Sequence, residues 1–510
     1  MKNRLFHFIV GIILVIGIVY LFREFGFFSY IYVGVSTLII AGICFVIFME
    51  NRSPQSTLAW LLVLVFIPGI GVMIYALFGR DVRRKKKIST FSEQEKLLHI
   101  KDLLAERYKQ NIIANPNLQD LSLSIEKVGG GTLFFQTNTS LLTNGEETFS
   151  SILDAIKEAK HHIHIQYYIY RSDEIGKQLQ EALMEKAREG VTVRFLYDGF
   201  GSNGLKNRFI EEMEQEGIEV CAFDPIISPW LIRTVNYRNH RKIVIIDGKV
   251  GFTGGLNVGD EYLGRSKEFG FWRDSHLRLE GEAVYKLQYI FLKDWLYAAN
   301  KVAPHLKGEI LEVDNRHIFF PLMKDAQTEE AVQIVSSGPY DEDQHIRNTL
   351  LVAIANAKKS IWIATPYFIP DQEIFTTLRL AAKAGVDVRL LYPGRGDSKV
   401  SDYASQSYFM PLLEAGVEIY TYRENFMHAK MVLIDDEIAV IGTANMDIRS
   451  FALNHEVMVF LYESATVQHM KEQFEEDFHV STKLEEETFG ERALYKRLFE
   501  SVCRLISPIL

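Results

Sequence analysis

The stretch 235–248, Val-Asn-Tyr-Arg-Asn-His-Arg-Lys-Ile-Val-Ile-Ile-Asp-Gly, decides the fold of this chain. Its apolar, β-branched run 243–246 predicts a strand, and Asp247-Gly248 is a dipeptide typical of a tight hairpin turn. Residues 250–253 then predict the return strand. The stretch therefore predicts a β-hairpin with polar residues at its open end.

The polar residues of this hairpin are expected to converge. Because strand side chains alternate between faces, His240 and Lys242 project to the same side, and the return strand brings Asn257 back beside His240. Asp247 lies at the far end. An imidazole, an ammonium and a carboxamide offer a nucleophile or proton carrier, a cation and a neutral donor, which are the groups that a phosphodiester reaction needs.

A second copy of the pattern is formed by His428, Lys430, Asp435 and Asn445. In both copies Lys follows His by two positions, Asp by seven and Asn by seventeen. One apolar hairpin needs no function, but three matching offsets in two copies are hard to ascribe to coincidence. The sequence therefore predicts an internal duplication.

The elements around the two hairpins also recur in the same order. A helix, a strand, an amphipathic helix and a second strand are predicted at 150–160, 163–169, 176–188 and 190–197, and again at 346–358, 361–367, 373–384 and 385–392. Alternating strands and helices with short links predict an α/β sandwich, and the duplication predicts two similar halves.

A further strand is predicted after each hairpin, at 271–279 and 454–460, and Asp274 and Glu456 occupy corresponding places in these strands. A catalytic histidine generally needs a partner on its second ring nitrogen, so a carboxylate in the next strand is a candidate for that partner. An exposed acid at a strand end is the alternative interpretation.

Metal and nucleic-acid sites are not favoured by the composition. His161, His162 and His164 lack an Asp, Glu or Cys at ligand spacing, so we expect a surface strand end there. The three cysteines are far apart and odd in number, which indicates a reducing compartment. A net charge of −9 argues against a nucleic-acid binder, although a local basic patch stays possible.

Three apolar stretches open the chain, at 5–22, 27–49 and 58–78. Each approaches the roughly 20 residues that cross a bilayer. A signal peptide is not favoured, because the first stretch lacks a small-residue cleavage site. Pro68-Gly69 interrupts the third stretch, so a kinked span and a re-entrant segment both stay open. The basic run 80–87 predicts that this end, and with it the catalytic part, is cytoplasmic, and it could also attract anionic lipids.

Five parts are predicted along the chain: membrane helices at 1–80, the basic run and a helical linker at 81–131, a first half at 132–305 with its motif at 235–262, a connection at 306–345, and a second half at 346–510 with its motif at 423–450. The last stretch, 494–510, predicts an amphipathic helix with Leu498, Val502, Leu505 and Ile509 on one face. Docking on a membrane surface and packing on the protein's own core both stay open.

The duplicated pattern resembles the His-x-Lys-x4-Asp motif of the phospholipase D superfamily, in which two such hairpins meet at one active site. Within that superfamily the chain resembles the bacterial cardiolipin synthases over nearly its whole length, notably at 51–54, 236–242 and 442–451. One turn position departs from the symmetry of the copies: Asp436 stands in the place of Gly248. The resemblance implies a duplicated α/β/α sandwich with a helical transmembrane N-terminal region.

The resemblance also implies a reaction and roles for the motif residues. Two phosphatidylglycerol molecules would give cardiolipin and glycerol, with His240 as nucleophile and His428 as general acid and base. The phosphate oxygens would be held by Lys242, Lys430, Asn257 and Asn445. No metal or other cofactor is then required. Asp247 and Asp435 belong to the family motif, although their position at the turns looks structural.

The same residues are compatible with other functions. A membrane-anchored hydrolase or a nuclease of the superfamily would use them with water, and the acidic balance disfavours the nuclease. A non-catalytic binding protein would be expected to have lost a histidine or lysine, yet all four are present. Membrane lipids are the expected partners, nucleic acid is not, and protein partners stay open. Trp230, Leu231 and Ile232 could line a rim that faces the acyl chains.

Overall fold

The computed structural model describes residues 26–49, 54–75, 112–225, 236–266, 270–302, 316–321, 323, 330–341, 343–423 and 426–505. The chain divides into two compact units, Met1–Asp81 and Val82–Leu510. Each unit is described by itself.

The smaller unit contains the helices α1 (Gly26–Met49), α2 (Pro54–Phe66) and α3 (Pro68–Ile74). The interruption expected at Pro68 is confirmed, because α2 ends at Phe66 and α3 begins with this proline at its first turn. The search for a helix with both the length and the hydropathy of a membrane span finds none among the described residues. The apolar stretch 5–22 and the basic run 80–87 lie outside the described residues.

The larger unit alternates strands and helices. Its strands are β1 (Leu133–Phe134), β2 (Thr137–Leu142), β3 (His162–Tyr167), β4 (Thr192–Asp198), β5 (Glu219–Phe223), β6 (Arg238–Asn239), β7 (Ile243–Ile246), β8 (Val250–Gly254), β9 (Trp272–Arg273), β10 (His276–Gly281), β11 (Ala331–Ser337), β12 (Ser360–Ala364), β13 (Phe368–Ile369), β14 (Asp387–Pro393), β15 (Glu418–Tyr422), β16 (Phe426–Met427), β17 (Met431–Ile434), β18 (Ile438–Gly442), β19 (Met446–Asp447), β20 (Asn454–Tyr462) and β21 (Ser481–Lys483). Its helices are α4 (Pro116–Gly129), α5 (Gly145–Lys157), α6 (Glu174–Arg188), α7 (Asn207–Gln215), α8 (Val284–Val302), α9 (Arg316–Phe319), α10 (His345–Asn356), α11 (Gln372–Lys383), α12 (Lys399–Gln406), α13 (Phe409–Leu413), α14 (Ile448–Ala452), α15 (Ala465–His479), α16 (Glu486–Gly490) and α17 (Leu494–Leu505).

Two sheets with the same strand order confirm the α/β class and the duplication. The first sheet runs β2-β10-β8-β7-β3-β4-β5, and the second runs β11-β20-β18-β17-β12-β14-β15 with β1 and β21 at its edges. In each sheet the last three strands of the shared order are parallel, and the others pair antiparallel. Each half therefore repeats one pattern of pairing around its hairpin.

The hairpin turns explain one departure between the copies. Asp247 and Gly248 have φ of 53° and 63°, and Asp435 and Asp436 have φ of 56° and 61°. Two successive residues with positive φ form the turn that matches the twist of a two-residue hairpin, and Asp tolerates this conformation. Gly248 is needed for a different reason: a Cβ there would lie 2.4 Å from the carbonyl oxygen of Phe319.

Three apolar cores hold the larger unit together. The first sheet packs on α5, α6 and α7, and the second packs on α10, α11 and α13. A third core lies between the sheets and contains α8 with residues such as Trp295, together with Ile243 from β7 and Ile441 from β18. The two halves are therefore joined by buried apolar contact, which fixes the two hairpins relative to each other.

Candidate active site

The segment before each catalytic histidine crosses to the other half. Strand β6 runs parallel to the start of β20, and the backbone N–H of His240 donates to the carbonyl of His455 at 3.0 Å. Strand β16 likewise runs parallel to β9, and the N–H of His428 donates to the carbonyl of Arg273 at 2.7 Å. The duplication thus produces a reciprocal exchange, in which the segment before each histidine pairs with a strand of the opposite half.

This exchange decides which carboxylate meets which imidazole. His240 Nδ1 lies 2.9 and 3.0 Å from the two carboxylate oxygens of Glu456. His428 Nδ1 lies 2.6 Å from Oδ2 of Asp274. From the sequence we expect a partner in the next strand of the same half, but the structure places it in the opposite half. The physical reason is the crossing of β6 and β16, which moves each histidine away from its own sheet's next strand.

Side chains that sequence reasoning missed hold the two carboxylates. Thr443 Oγ1 donates to Glu456 Oε2 at 2.5 Å, and Asn454 Nδ2 donates to Oε1 at 3.2 Å. A Cβ on Gly255 would lie 2.0 Å from Oδ1 of Asp274, so the first copy needs glycine where the second has Thr443. Asn454 could have been found, because it precedes Glu456 by two residues and so shares its face of the strand.

The carboxylates stay ionised and the imidazoles neutral in the free site. Burial alone would raise the pKa of Asp274, but Lys430 and His428 outweigh it, so the pKa is lowered. Burial would also raise the pKa of Glu456, but His240 and Lys242 outweigh it, so this pKa is lowered too. Each imidazole then donates its Nδ1–H to a carboxylate and keeps a lone pair on Nε2.

The two imidazoles differ in their neighbours. Burial lowers the pKa of His240, against the opposing effect of Glu456. Burial and then Lys430 lower the pKa of His428 to about 4, although Asp274 opposes the shift. Lys430 Nζ lies 2.8 and 3.1 Å from the ring nitrogens of His428, whereas Lys242 Nζ donates to the backbone carbonyl of His240 at 2.7 Å. An ammonium group therefore contacts the imidazole ring only in the second copy.

Both motif lysines are buried cations of reduced basicity. Burial lowers the pKa of Lys242 to about 7, and that of Lys430 to about 8, with nearby carboxylates opposing the shift. An entering phosphate anion would favour the charged form of both. The pair can therefore offset charge on a phosphate without a metal ion.

Both histidines and both motif asparagines line one cavity of about 420 Å³. Asn257 is engaged by the protein, since its Oδ1 accepts from Ile169 N at 3.0 Å and its Nδ2 donates to the Tyr262 hydroxyl at 3.1 Å. The buried Oδ1 of Asn445 has no hydrogen-bond partner within the described residues. Of the two carboxamides, that of Asn445 is the better placed to meet a ligand.

Three arginines line the same cavity and were not singled out from the sequence: Arg171, Arg238 and Arg449. Arg171 donates to Glu261 at 3.0 and 2.8 Å, and Arg238 pairs with Asp198 at 3.2 Å. Arg449 Nη1 donates to the carbonyl of Asn236 at 3.2 Å. Guanidinium groups are suited to phosphate, so these arginines are candidates for holding an anionic group.

The motif aspartates lie at the far ends of the hairpins. Asp247 accepts from the backbone N–H groups of Lys160, His161 and His162 at 2.9, 2.7 and 2.9 Å. Asp435 accepts in the same way from residues 358–360, at 2.7, 2.6 and 2.9 Å. Each carboxylate ties a turn to the start of the neighbouring strand, so its effect on the cavity is through the position of the hairpin.

The histidines of β3 are buried, so the surface strand end expected from the sequence is wrong for His162 and His164. Gln288 bridges them, lying 3.0 Å from His162 Nε2 and 2.8 Å from His164 Nδ1, and the ring of His164 stacks on Phe291. Burial lowers the pKa of His162 to about 4. Over the described ranges, no group of three or more His, Cys, Asp or Glu is arranged to hold a metal ion. Trp230, Leu231 and Ile232 lie outside the described residues.

A known protein family matches both halves of the chain. The sequence model of the family described as "Cardiolipin synthase, PLD-like domain" matches residues 152–295 and 350–478, which are the two halves of the site. The chain is 58% identical over 486 residues to cardiolipin synthase 1 of Bacillus cereus, with 94% of each chain covered. The chain belongs to the cardiolipin synthase family of the phospholipase D superfamily.

Other relatives of the family extend this result. Cardiolipin synthase 2 of Bacillus anthracis is 46% identical, over 91% of this chain and 89% of the relative. A model described as "Phospholipase_D-nuclease N-terminal" matches residues 37–80. The crystal structure of phosphatidylserine synthase from Haemophilus influenzae has a TM-score of 0.58 at 14% identity, covering 77% of this chain and 100% of that one, and shows a shared fold.

Proposed function

We propose that this protein transfers a phosphatidyl group between two phosphatidylglycerol molecules and so forms cardiolipin and glycerol. The observation that carries the proposal is the crossed pair of histidine–carboxylate contacts at one cavity. Curated relatives that align over nearly the whole chain are cardiolipin synthases. Two imidazoles, each held at Nδ1 by a carboxylate, are the groups that a two-step displacement at phosphorus needs.

In the first step, Nε2 of His240 attacks the phosphorus of the donor lipid. A phosphorus–nitrogen bond forms, the bond from phosphorus to the glycerol oxygen breaks, and protonated His428 gives its proton to that oxygen. In the second step, His428 takes the proton of the primary hydroxyl of the acceptor lipid. The acceptor oxygen then displaces His240, and both histidines return to their starting states.

The role of His428 as acid depends on the arrival of the substrate. In the free site, burial and then the contact with Lys430 lower the pKa of the imidazole and keep it neutral. A phosphate anion at the cavity draws the ammonium group to its own oxygens and favours the protonated imidazole. His240 has no such contact to its ring and is therefore assigned the nucleophile's role.

The phosphate oxygens are assigned to two cations and one carboxamide of the site. Lys242, Lys430 and Asn445 supply charge and hydrogen bonds to the transition state, and losing one such donor in other enzymes costs about 2.7–4 kcal/mol. Asp274 and Glu456 are positioning residues, because they act through the orientation and tautomer of the imidazoles. The acceptor carries a phosphate of its own, which we assign to Arg449.

The protein works at a membrane in this proposal, with its catalytic unit on the cytoplasmic side. Its lipid substrate, the apolar stretches 5–22, 27–49 and 58–78, and the basic run 80–87 support this placement. Protease added outside intact cells is expected to leave the catalytic halves uncut. Cleavage within them from the outer face would contradict the proposed orientation.

The test of the reaction supplies phosphatidylglycerol vesicles as the only lipid and follows the products. Cardiolipin with an equimolar amount of free glycerol supports transfer, since orientation of the acceptor against the phosphorus must outweigh abundant water. Phosphatidic acid as the main product would make the protein a hydrolase of the same superfamily. Release of nucleotides from DNA, measured beside it, would support a nuclease.

A further inference from the structure

Helix α17 exposes an apolar face to solvent. Six of its large hydrophobic side chains are between 50% and 80% exposed: Leu494, Tyr495, Leu498, Phe499, Val502 and Leu505. The sequence leaves open whether this face packs on the protein or docks on a membrane. The structure removes the first alternative for α17, because these side chains do not enter the core.

The side of α17 that faces the protein is the more polar one. Glu500 and Cys503 are the buried residues of this helix. Glu500 accepts from Arg492 Nη1 at 2.5 Å, and Cys503 joins the apolar core of the second half. A surface helix of a globular protein normally turns its apolar stripe to the core, so the orientation of α17 is the reverse of the usual one.

The orientation is fixed by contacts and is not that of a detached helix. The ring of Phe499 stacks on that of Tyr403 of α12, with 6.1 Å between the ring centroids. The guanidinium of Arg504 lies 4.5 Å from the centroid of the Tyr408 ring. Ser401 of α12 lines the catalytic cavity. Helix α17 is therefore held one helix away from the place where the phosphates react.

We propose that the apolar face of α17 inserts into the lipid surface and holds the mouth of the cavity at the level of the headgroups. The inference deepens the proposed function, on which it rests. An interfacial helix carries one apolar and one basic face, and α17 has the exposed cations Lys496 and Arg497 outside its apolar arc. These cations suit an anionic lipid surface, and the substrate is itself an anionic lipid.

A lipid surface fits this face better than a second copy of the chain. A stable protein interface buries roughly 800 Å² on each partner, with a polar rim around its core. One helix of 12 residues is a small part of such an interface. Lipid requires no matching surface, and it covers an isolated apolar face that already lies beside a cavity for lipid headgroups.

The first experiment places an environment-sensitive fluorophore on the full chain in nanodiscs of phosphatidylglycerol and phosphatidylethanolamine. The probe is attached at Leu498→Cys or, as the matched control, at Lys496→Cys on another face. Cys44 is replaced by serine. Cys221 and Cys503 are buried, so neither thiol is open to the probe.

The probe at Leu498→Cys is expected to shift to shorter wavelength and to be quenched by spin-labelled lipid, with little change for the probe at Lys496→Cys. Equal weak quenching at both positions overturns the proposal. Energy transfer between two copies labelled at Leu498→Cys, without quenching by lipid, assigns the face to a dimer and also overturns it. This readout does not depend on turnover, so it can fail while the proposed reaction stands.

The second experiment measures turnover on two forms of phosphatidylglycerol. Leu498→Asp with Val502→Asp is expected to lower turnover of vesicle substrate about tenfold or more, since burial of one such side chain is worth at least that factor. Turnover of a dispersed short-chain phosphatidylglycerol should stay within about twofold of wild type. The control, Leu498→Ile with Val502→Ile, keeps the apolar face and should match wild type on both. Equal turnover of the aspartate variant and wild type on vesicles would refute the inference.

Discussion

The imidazole of His240 in the first half hydrogen-bonds to the carboxylate of Glu456 in the second, with Nδ1 2.9 Å from Oε1. The reciprocal contact joins His428 to Asp274 at 2.6 Å. Neither half contains a complete histidine–carboxylate pair of its own. The site therefore exists only where the halves meet, and a disturbance of their interface should reach the chemistry.

His240→Ala and His428→Ala are each expected to lower transfer by about 10⁴-fold or more, because the two imidazoles act as one unit. A lipid with a p-nitrophenyl leaving group separates their roles, since nitrophenolate needs no proton. On this lipid, His428→Ala should still release one equivalent of nitrophenol and retain a trapped phosphatidyl-enzyme, whereas His240→Ala should not. The opposite pattern would exchange the two roles, and substantial transfer by either variant would refute the shared site.

The pH dependence of kcat/KM should show an alkaline limb that belongs to the lysines. The pKa values of Lys242 and Lys430 are lowered by burial to about 7 and about 8, so their charge is present below those values and is lost as pH rises through them. We expect kcat/KM to fall above about pH 7 and more steeply above about pH 8. Lys242→Arg keeps its charge and should move the onset of the limb to higher pH, whatever its effect on the maximal rate. An unmoved limb would mean that another group titrates.

Chelation is expected to leave the initial rate unchanged. The negative charge on the phosphate is met by Lys242 and Lys430, which do the work that a metal ion performs in other phosphoryl-transfer sites. The measurement compares transfer after dialysis against EDTA with transfer in buffer alone. Loss of activity on chelation, with recovery on adding back a divalent metal, would show that the two lysines are insufficient.

Asp435→Asn should destabilise the second half more than it alters the chemistry. Its carboxylate accepts three backbone N–H groups, and weakening such charge-assisted contacts costs about 1–3 kcal/mol of unfolding free energy. The matched control is Asp436→Asn in the same turn, whose exposed pair with Lys471 is worth about 0–1 kcal/mol. Thermal unfolding compares the two. Equal stability of both variants would argue against the anchoring role of Asp435.

Arg449→Gln is expected to shift the products from cardiolipin toward phosphatidic acid. If its guanidinium holds the acceptor phosphate, a lost charge-assisted hydrogen bond lowers the transfer-to-hydrolysis ratio about tenfold. Arg208→Gln is the control, because Arg208 is 87% exposed and does not line the cavity. An unchanged product ratio in Arg449→Gln, with normal turnover, would exclude this contact.

Local patterns in the sequence determined a large part of this protein. Alternation of apolar residues predicts the strands, Asp247-Gly248 predicts the two-residue turn, and the matched offsets of His240 and His428 predict two equivalent hairpins. These features depend on neighbours in the chain, because turn dihedrals and side-chain alternation are local properties. The α/β class and the residues at the centre of the cavity follow from them.

Only the tertiary structure decided how the pieces meet. The exchange rests on β6 and β16, strands of two residues that carry no periodic signal, and the His240–Glu456 contact spans 216 residues of chain. Burial of His164 follows from the packing of α8 against β3, which composition does not reveal. The outward apolar face of α17 is likewise a tertiary fact, because a helical sequence specifies which side is apolar but not which side another element will cover.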